Sequence, residues 1–233
     1  MARLPRLVLP GQPHLVLQRG RDARAVFVDD ADRLRYLDAL RAALRDSGVA
    51  LHGYVLMDNH VHLLATPSSA EGLGKAMQRL GRRYVSVFNA RHGGSGSLWD
   101  GRFRAAPIDA ELYLLACLRH LEMNPVRHGL VAAPEDYRWS SAAHHAGRRR
   151  DPLVSEHPVF WRLGNTPFER EATWRALNQL PLESDQLQAL RDAATKGWAL
   201  GGSAFLAAAA RATDRRLAPL PRGRRPGATK RSL

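Results

Sequence analysis

Residues 54–64, YVLMDNHVHLL, constrain the fold of this chain more than any other stretch. Two apolar runs flank Asp58-Asn59, a pair suited to a tight turn, so the segment reads as a β-hairpin. Side chains alternate between the two faces of a strand, so His60 and His62 share one face and Val61 takes the other. Two imidazoles side by side on a rigid strand can hold one metal ion between them. Their apolar neighbours place them in a half-buried strand and not in a solvated loop.

The pattern around the hairpin sets the fold class. A short strand spans His14 to Gln18. Asp29 or Asp30 can cap a helix that runs to Asp46 with Leu34, Leu37, Leu40 and Leu44 on one side. Val49 to Met57 and His60 to Thr66 are the hairpin strands. Ser68 or Ser69 can start a long helix to Ala90, with Leu73, Met77, Leu80, Tyr84 and Phe88 as its apolar stripe and Lys75, Arg79, Arg82, Arg83 and Arg91 on its other side. Trp99 to Ile108 reads as one strand, with Arg102 and Arg104 on one face and Phe103 on the other. Asp109 caps a helix from Ala110 to Met123, which Pro125 is expected to end. Strand, helix, strand, strand, helix, strand is the order of a split βαβ, so the fold class is α+β with a ferredoxin-like antiparallel sheet and flanking helices. Residues 1–145 form this domain. Residues 146–162, with Arg148, Arg149 and Arg150, read as a linker, and 163–213 as a helical extension. Residues 214–233 read as a basic tail, disordered when free.

Charge narrows the partner. Across 233 residues, 35 Lys and Arg stand against 22 Asp and Glu, a formal net charge of +13. That imbalance points to a polyanion, nucleic acid first and an anionic membrane surface second. Arg79, Arg82, Arg83, Arg102, Arg104, Arg127 and Arg138 are the candidates for phosphate neutralisation. Trp99, Tyr137 and Trp139 lie among them and can stack on exposed bases. The single cysteine, Cys117, excludes an internal disulfide and a cysteine-rich zinc site. No apolar run approaches the roughly 20 residues of a membrane span. Pro5 and Pro10 break the N-terminal stretch, which does not read as a signal peptide. A cytoplasmic, membrane-free setting is expected.

One more spacing bears on the metal. His120 and Asn124 are four apart and so one turn apart on a helix. The Asn124 amide oxygen can then supply a third ligand beside His60 and His62.

With these residues in place, the chain resembles the single-tyrosine HUH transposases, of the REP-associated tyrosine transposase type. The resemblance is carried by GQPHLVLQRG at 11–20, YVLMDNHVHLL at 54–64, GRRYVSVFN at 81–89, LWDGRF at 98–103, YLLACLRHLEMNPVRHGLV at 113–131 and DYRWSS at 136–141. It implies the ferredoxin-like sheet and a protein that cuts and rejoins single-stranded DNA near the foot of a hairpin. In such proteins a tyrosine hydroxyl attacks the scissile phosphate and conserves the bond as a phosphotyrosine. The resemblance further implies Mg²⁺ or Mn²⁺ on His60 and His62 with Asn124 completing the site, and it admits a homodimer. This sequence departs from the pattern at one position. His120 stands where the nucleophilic tyrosine is expected, four residues before the amide. Three readings stay open. Nicking is lost and binding of hairpin DNA is kept; or Tyr113 takes over from two turns upstream, about 10 Å away by helical rise; or His120 joins the metal shell or serves as a general base for water.

Overall fold

The computed structural model describes residues 6–219. Its first part is strand β1 (His14–Arg19), helix α1 (Asp30–Arg45), strands β2 (Val49–Met57) and β3 (His60–Pro67), helix α2 (Gly72–His92), strand β4 (Arg104–Pro107) and helix α3 (Ala110–Glu122). The strands make one sheet in the order β2-β3-β1-β4, every neighbouring pair antiparallel. This is the expected ferredoxin-like arrangement. The polar residues read as caps act as caps: the Asp29 carboxylate accepts from the Asp32 N–H, and that of Asp109 from the Glu111 N–H.

Three boundaries differ from expectation. Helix α2 starts at Gly72 and not at Ser68 or Ser69, because the Ser68 N–H is still tied to the Gly48 carbonyl beyond the hairpin strands. The stretch from Trp99 to Ile108 is not one strand. Trp99 makes an isolated bridge to Gly20, Gly101 turns the chain at φ 66°, and regular pairing begins only at Arg104. Pro125 interrupts the helical ladder without ending the direction of the helix. Met123 keeps right-handed helical angles, and a further turn, α4 (Asn124–Arg127), follows with the proline in its first turn, where a missing N–H costs little. Asn124 therefore stays one turn beyond His120.

The two faces of the sheet carry different loads. Helices α1 and α2 pack side by side on one face, and the Arg91 guanidinium locks them by bonding Asp29 and Asp32 at 2.5–2.7 Å. Helix α3 covers the other face. It comes so close that a Cβ on Gly53 would lie 2.5 Å from Leu118 Cδ2, so any side chain here would force Leu118 to move.

The residues after 141 fold back onto this second face. Short turns α5 (Ala142–His145) and α6 (Pro158–Trp161) lead to α7 (Pro167–Gln179), α8 (Ser184–Lys196) and α9 (Ser203–Arg211). The start of α7 is fixed by a capping box between Thr166 and Glu169. Leu153, Val159 and Phe160, from the stretch expected to be a linker, join the main core together with Trp174 and Leu190. Helix α8 packs on β1, β4 and α3. A buried carboxylate ties these parts together: Glu122 accepts from Ser141 Oγ at 2.6 Å and Trp174 Nε1 at 3.2 Å, and pairs with His145 Nδ1 at 2.6 Å. At the far end of the described chain Leu217 packs with Leu7, Leu9 and Ala209. Residues 220–233 of the expected basic tail lie outside the described residues. Among the described residues, no helix is long and apolar enough to cross a membrane.

Trp174 is wholly buried and its indole N–H serves Glu122. Trp174→Ala is expected to cost about 3–5 kcal/mol, read as a lower midpoint in urea unfolding. A midpoint equal to wild type would mean that α7 is not part of the core.

Candidate functional site

The register of β1 against β3 places His60 opposite Arg19 and His62 opposite Leu17. Facing residues on paired strands project to the same side, so both imidazoles and the Arg19 side chain leave the sheet on the face that α3 covers. Their rings lie 5.2 Å apart, centroid to centroid. The hairpin turn is held from outside: Gly20 N–H donates to the Asn59 carbonyl and Val26 N–H to the Asp58 carbonyl, each at 2.7 Å. Gly20 permits this approach, since a Cβ there would meet the Arg24 carbonyl oxygen at 2.2 Å. Asp22 and Ala23, between these contacts, both adopt left-handed angles, φ 52° and 57°, a strained conformation for residues other than glycine.

Helix α3 brings His120 down onto the pair, its ring 5.7 Å from that of His62. Asn124 follows one turn later, with Nδ2 3.2 Å from His60 Nε2. His62, His120 and Asn124 are 6%, 5% and 4% exposed, so the floor of the site is nearly dry. His60 Nδ1 lies 2.7 Å from Asn59 Oδ1 and donates to it, which leaves the Nε2 lone pair turned toward Asn124. The Nδ1 atoms of His62 and His120 are buried without a partner.

These groups line a cavity of about 280 Å³, with Arg19, Arg127, His128 and Arg191 around its rim. A second hollow of about 460 Å³ shares Arg19, His60 and His128 and continues past Gly20 and Asp100. Burial pushes His60 down to about 4, with Arg19 and His128 adding to the effect. Burial pushes His120 down to about 3, helped by Arg127 and Arg191. His62 is held well below the usual imidazole range, first by burial and then by His120 and His60. All three are neutral at pH 7, the form in which imidazole donates to a metal.

The donor set fits a divalent cation in part. Two neutral imidazoles and one amide converge, and a half-turn of the Asn124 amide presents its oxygen. Among the described residues no group of three or more His, Cys, Asp or Glu is arranged to hold a metal, so His120 does not enlarge the pair into a three-imidazole shell.

The expected site residues divide. His60, His62, His120, Asn124 and Arg127 meet in one cavity. Arg104 lies on the same face, opposite Leu17, and donates to the Thr195 carbonyl in α8. Tyr113 does not line the cavity and packs half-buried on α3. Arg79, Arg82 and Arg83 belong to α2, across the sheet, where Arg79 bonds the Asp46 carbonyl. Arg138 pairs with Asp30 at 3.5 Å and lies over Trp139, and Arg102 is exposed. Trp99, Tyr137 and Trp139 are 5–9% exposed and fill the core, so they are not free to stack on bases. Sequence reasoning passed over Arg19, His128 and Arg191. The β1–β3 register is the signal for Arg19; for Arg191 the sequence holds none.

The family model for "Transposase IS200 like" proteins matches residues 11–121, a little under half of the chain. That segment holds the whole sheet, His60, His62 and His120. A solved structure of a REP-associated tyrosine transposase bound to a REP hairpin shares the fold, with a TM-score of 0.53 and 19% identity over 68% of this chain and 93% of that one. A crystal structure assigned as a transposase, from Deinococcus radiodurans R1, aligns at a TM-score of 0.37 and 19% identity over 57% of this chain and 100% of that one. No curated protein matches the chain.

The depressed imidazoles have a measurable consequence. An unfolded histidine takes up its proton near pH 6.5, whereas folded His60 and His120 do so at about 4 and about 3. The unfolded state therefore binds more protons below 6.5, and stability falls as the pH drops from 6.5 toward 4, with no contribution from these groups above that window. Ring NMR signals of His60 and His120 should not titrate between pH 8 and 5. A midpoint near 6.5 for either would contradict the buried site.

Proposed function

We propose that this chain is a transposase-like protein that binds single-stranded or hairpin DNA and no longer forms a phosphotyrosine link. The observation that carries this reading is the fate of the tyrosines. The chain has five. Tyr54, Tyr84 and Tyr137 spend their hydroxyls on Asp151, the Val26 carbonyl and the Leu56 carbonyl. Tyr36, on the inner side of α1, is wholly buried. Tyr113 is two turns short of the cavity, and misplacement of even about 1 Å is costly to in-line attack. The nucleophile position holds an imidazole that is a poor base at neutral pH, which also speaks against water activation by His120.

Binding needs less than cutting. His60, His62 and Asn124 would hold Mg²⁺ or Mn²⁺, which when bound supplies Lewis-acid attraction for a phosphate oxygen. The protein's own groups do the rest. Asn59 fixes the tautomer of His60, α3 excludes water from the floor, and Arg19 and Arg127 attract the backbone. The hairpin bound by the structurally similar transposase and the net charge of +13 support DNA as the partner. Assembly as a homodimer is compatible with this reading and is not required by it.

The test is incubation of the full chain with a labelled hairpin and Mn²⁺. Wild type should bind the hairpin, with affinity falling steeply as salt rises, and give no covalent adduct in a denaturing gel. His120→Tyr should restore an adduct or leave binding alone. An adduct formed by wild type and abolished by Tyr113→Phe would overturn the loss of nicking. Cut DNA without an adduct would mean a water-using phosphodiesterase, and salt-insensitive or absent binding would sink the DNA reading itself.

A further inference from the structure

Three guanidiniums surround the small cavity, and each comes from a different part of the chain. Arg19 ends β1, Arg127 ends α4, and Arg191 is carried by α8, outside the segment that the family model matches. Arg191, Ala194 and Thr195 all face the cavity, the i, i+3, i+4 spacing of one helix face. That face is aimed by neighbours: Leu190, Ala193 and Ala194 are buried, and the Arg104 guanidinium bonds the Thr195 carbonyl. Arg127 is turned in by its bond to the His120 carbonyl at 2.6 Å.

Among the described residues lining this cavity no carboxylate faces the three charges, and none of the three forms an ion pair with one; Asp22 and Asp100 line only the adjoining hollow beside Arg19. Burial of part of its side chain and then Arg191 push Arg127 down to about 10, although its residue stays exposed at the rim. Beneath the rim, His62 and His120 each keep a buried ring nitrogen without a partner. Three like charges at the rim, each still open to solvent, raise a positive potential that draws an anion to the hollow. The planar fork of arginine matches two oxygens of a phosphate. The cavity adjoins the second hollow, with which it shares Arg19, His60 and His128. Two hollows side by side suit a passing strand better than a free phosphate.

We propose that Arg191, supplied by the C-terminal extension, is a specificity-determining residue of this site, gripping with Arg19 and Arg127 one phosphodiester of an unpaired DNA strand. This rests on the DNA-binding reading above and adds the residue, the group recognised and the reason the extension folds onto the sheet. The extension thus completes the site from the same chain.

The test uses the full chain and two labelled probes, a DNA hairpin with a short unpaired tail and the same hairpin without it. Wild type should prefer the tailed probe. Arg191→Ala should weaken tailed-probe binding about tenfold, the low end for a lost charge-assisted contact, and lower the salt slope by about 0.7, as for one single-strand phosphate. The blunt hairpin and an Arg35→Ala control on α1 should show no change. Replacing single tail phosphates by neutral methylphosphonates should harm wild type at one position, and at that position leave Arg191→Ala indifferent. If Arg191→Ala fails to fold by thermal melting, Arg191→Gln replaces it in the same scan. Equal binding by wild type and variant, an equal loss on both probes, or competition by inorganic phosphate as effective as by the tail would overturn the inference while DNA binding stands. Failure of wild type to bind either probe would overturn the DNA-binding reading, and this inference with it.

Discussion

Everything at the site depends on the register between β1 and β3. With Arg19 opposite His60 and Leu17 opposite His62, two imidazoles and a guanidinium emerge on one face of the sheet. A slip of one residue would turn all three into the layer packed by α1 and α2. The hairpin turn is pinned at Asp58 and Asn59 by backbone bonds from Val26 and Gly20, so slippage would also break contacts with a loop distant in sequence. Only with that register fixed does the close approach of α3 over Gly53 bring His120 and Asn124 to the same place.

The sheet, the histidine pair and the one-turn spacing of His120 and Asn124 were legible in the sequence because each rests on local periodicity. Alternation fixes a strand face, and a spacing of four fixes a helix face, whatever the rest of the chain does. The proline at 125 misled because its effect on the preceding residue is a bias, and α4 resumes with the proline where no N–H is needed. The strand before Arg104 misled because Gly101 turns the chain, a choice the apolar pattern does not encode. Trp99, Tyr137 and Trp139 looked like bases' partners by their arginine neighbours, but aromatic area is worth more in the core than at the surface. The arginines of α2 could not be placed from sequence, since a basic stripe does not say which side of a sheet its helix covers.

The extension shows the same limit. Its helices carry ordinary caps and stripes, so their existence could be read. Their docking depends on Trp174 meeting Glu122 and on Leu190 reaching the main core, tertiary contacts between residues far apart in the chain. The buried Glu122–His145 pair is costly to separate but not in itself a source of stability; with Ser141 and Trp174 satisfied around it, it sets where the extension attaches. On the proposed reading, the sheet keeps groups that attract a phosphate while His120 stands where an attacking phenol is expected.

The most direct measurement is a crystal structure of the full chain with Mn²⁺ and a hairpin bearing an unpaired strand. The expected result is an unbroken strand with one phosphate beside His60, His62 and Asn124, facing Arg19 and Arg127, and no bond from the DNA to any side chain. Continuous density from a phosphate to a tyrosine, or a strand lying along α2 on the opposite face of the sheet, would contradict it.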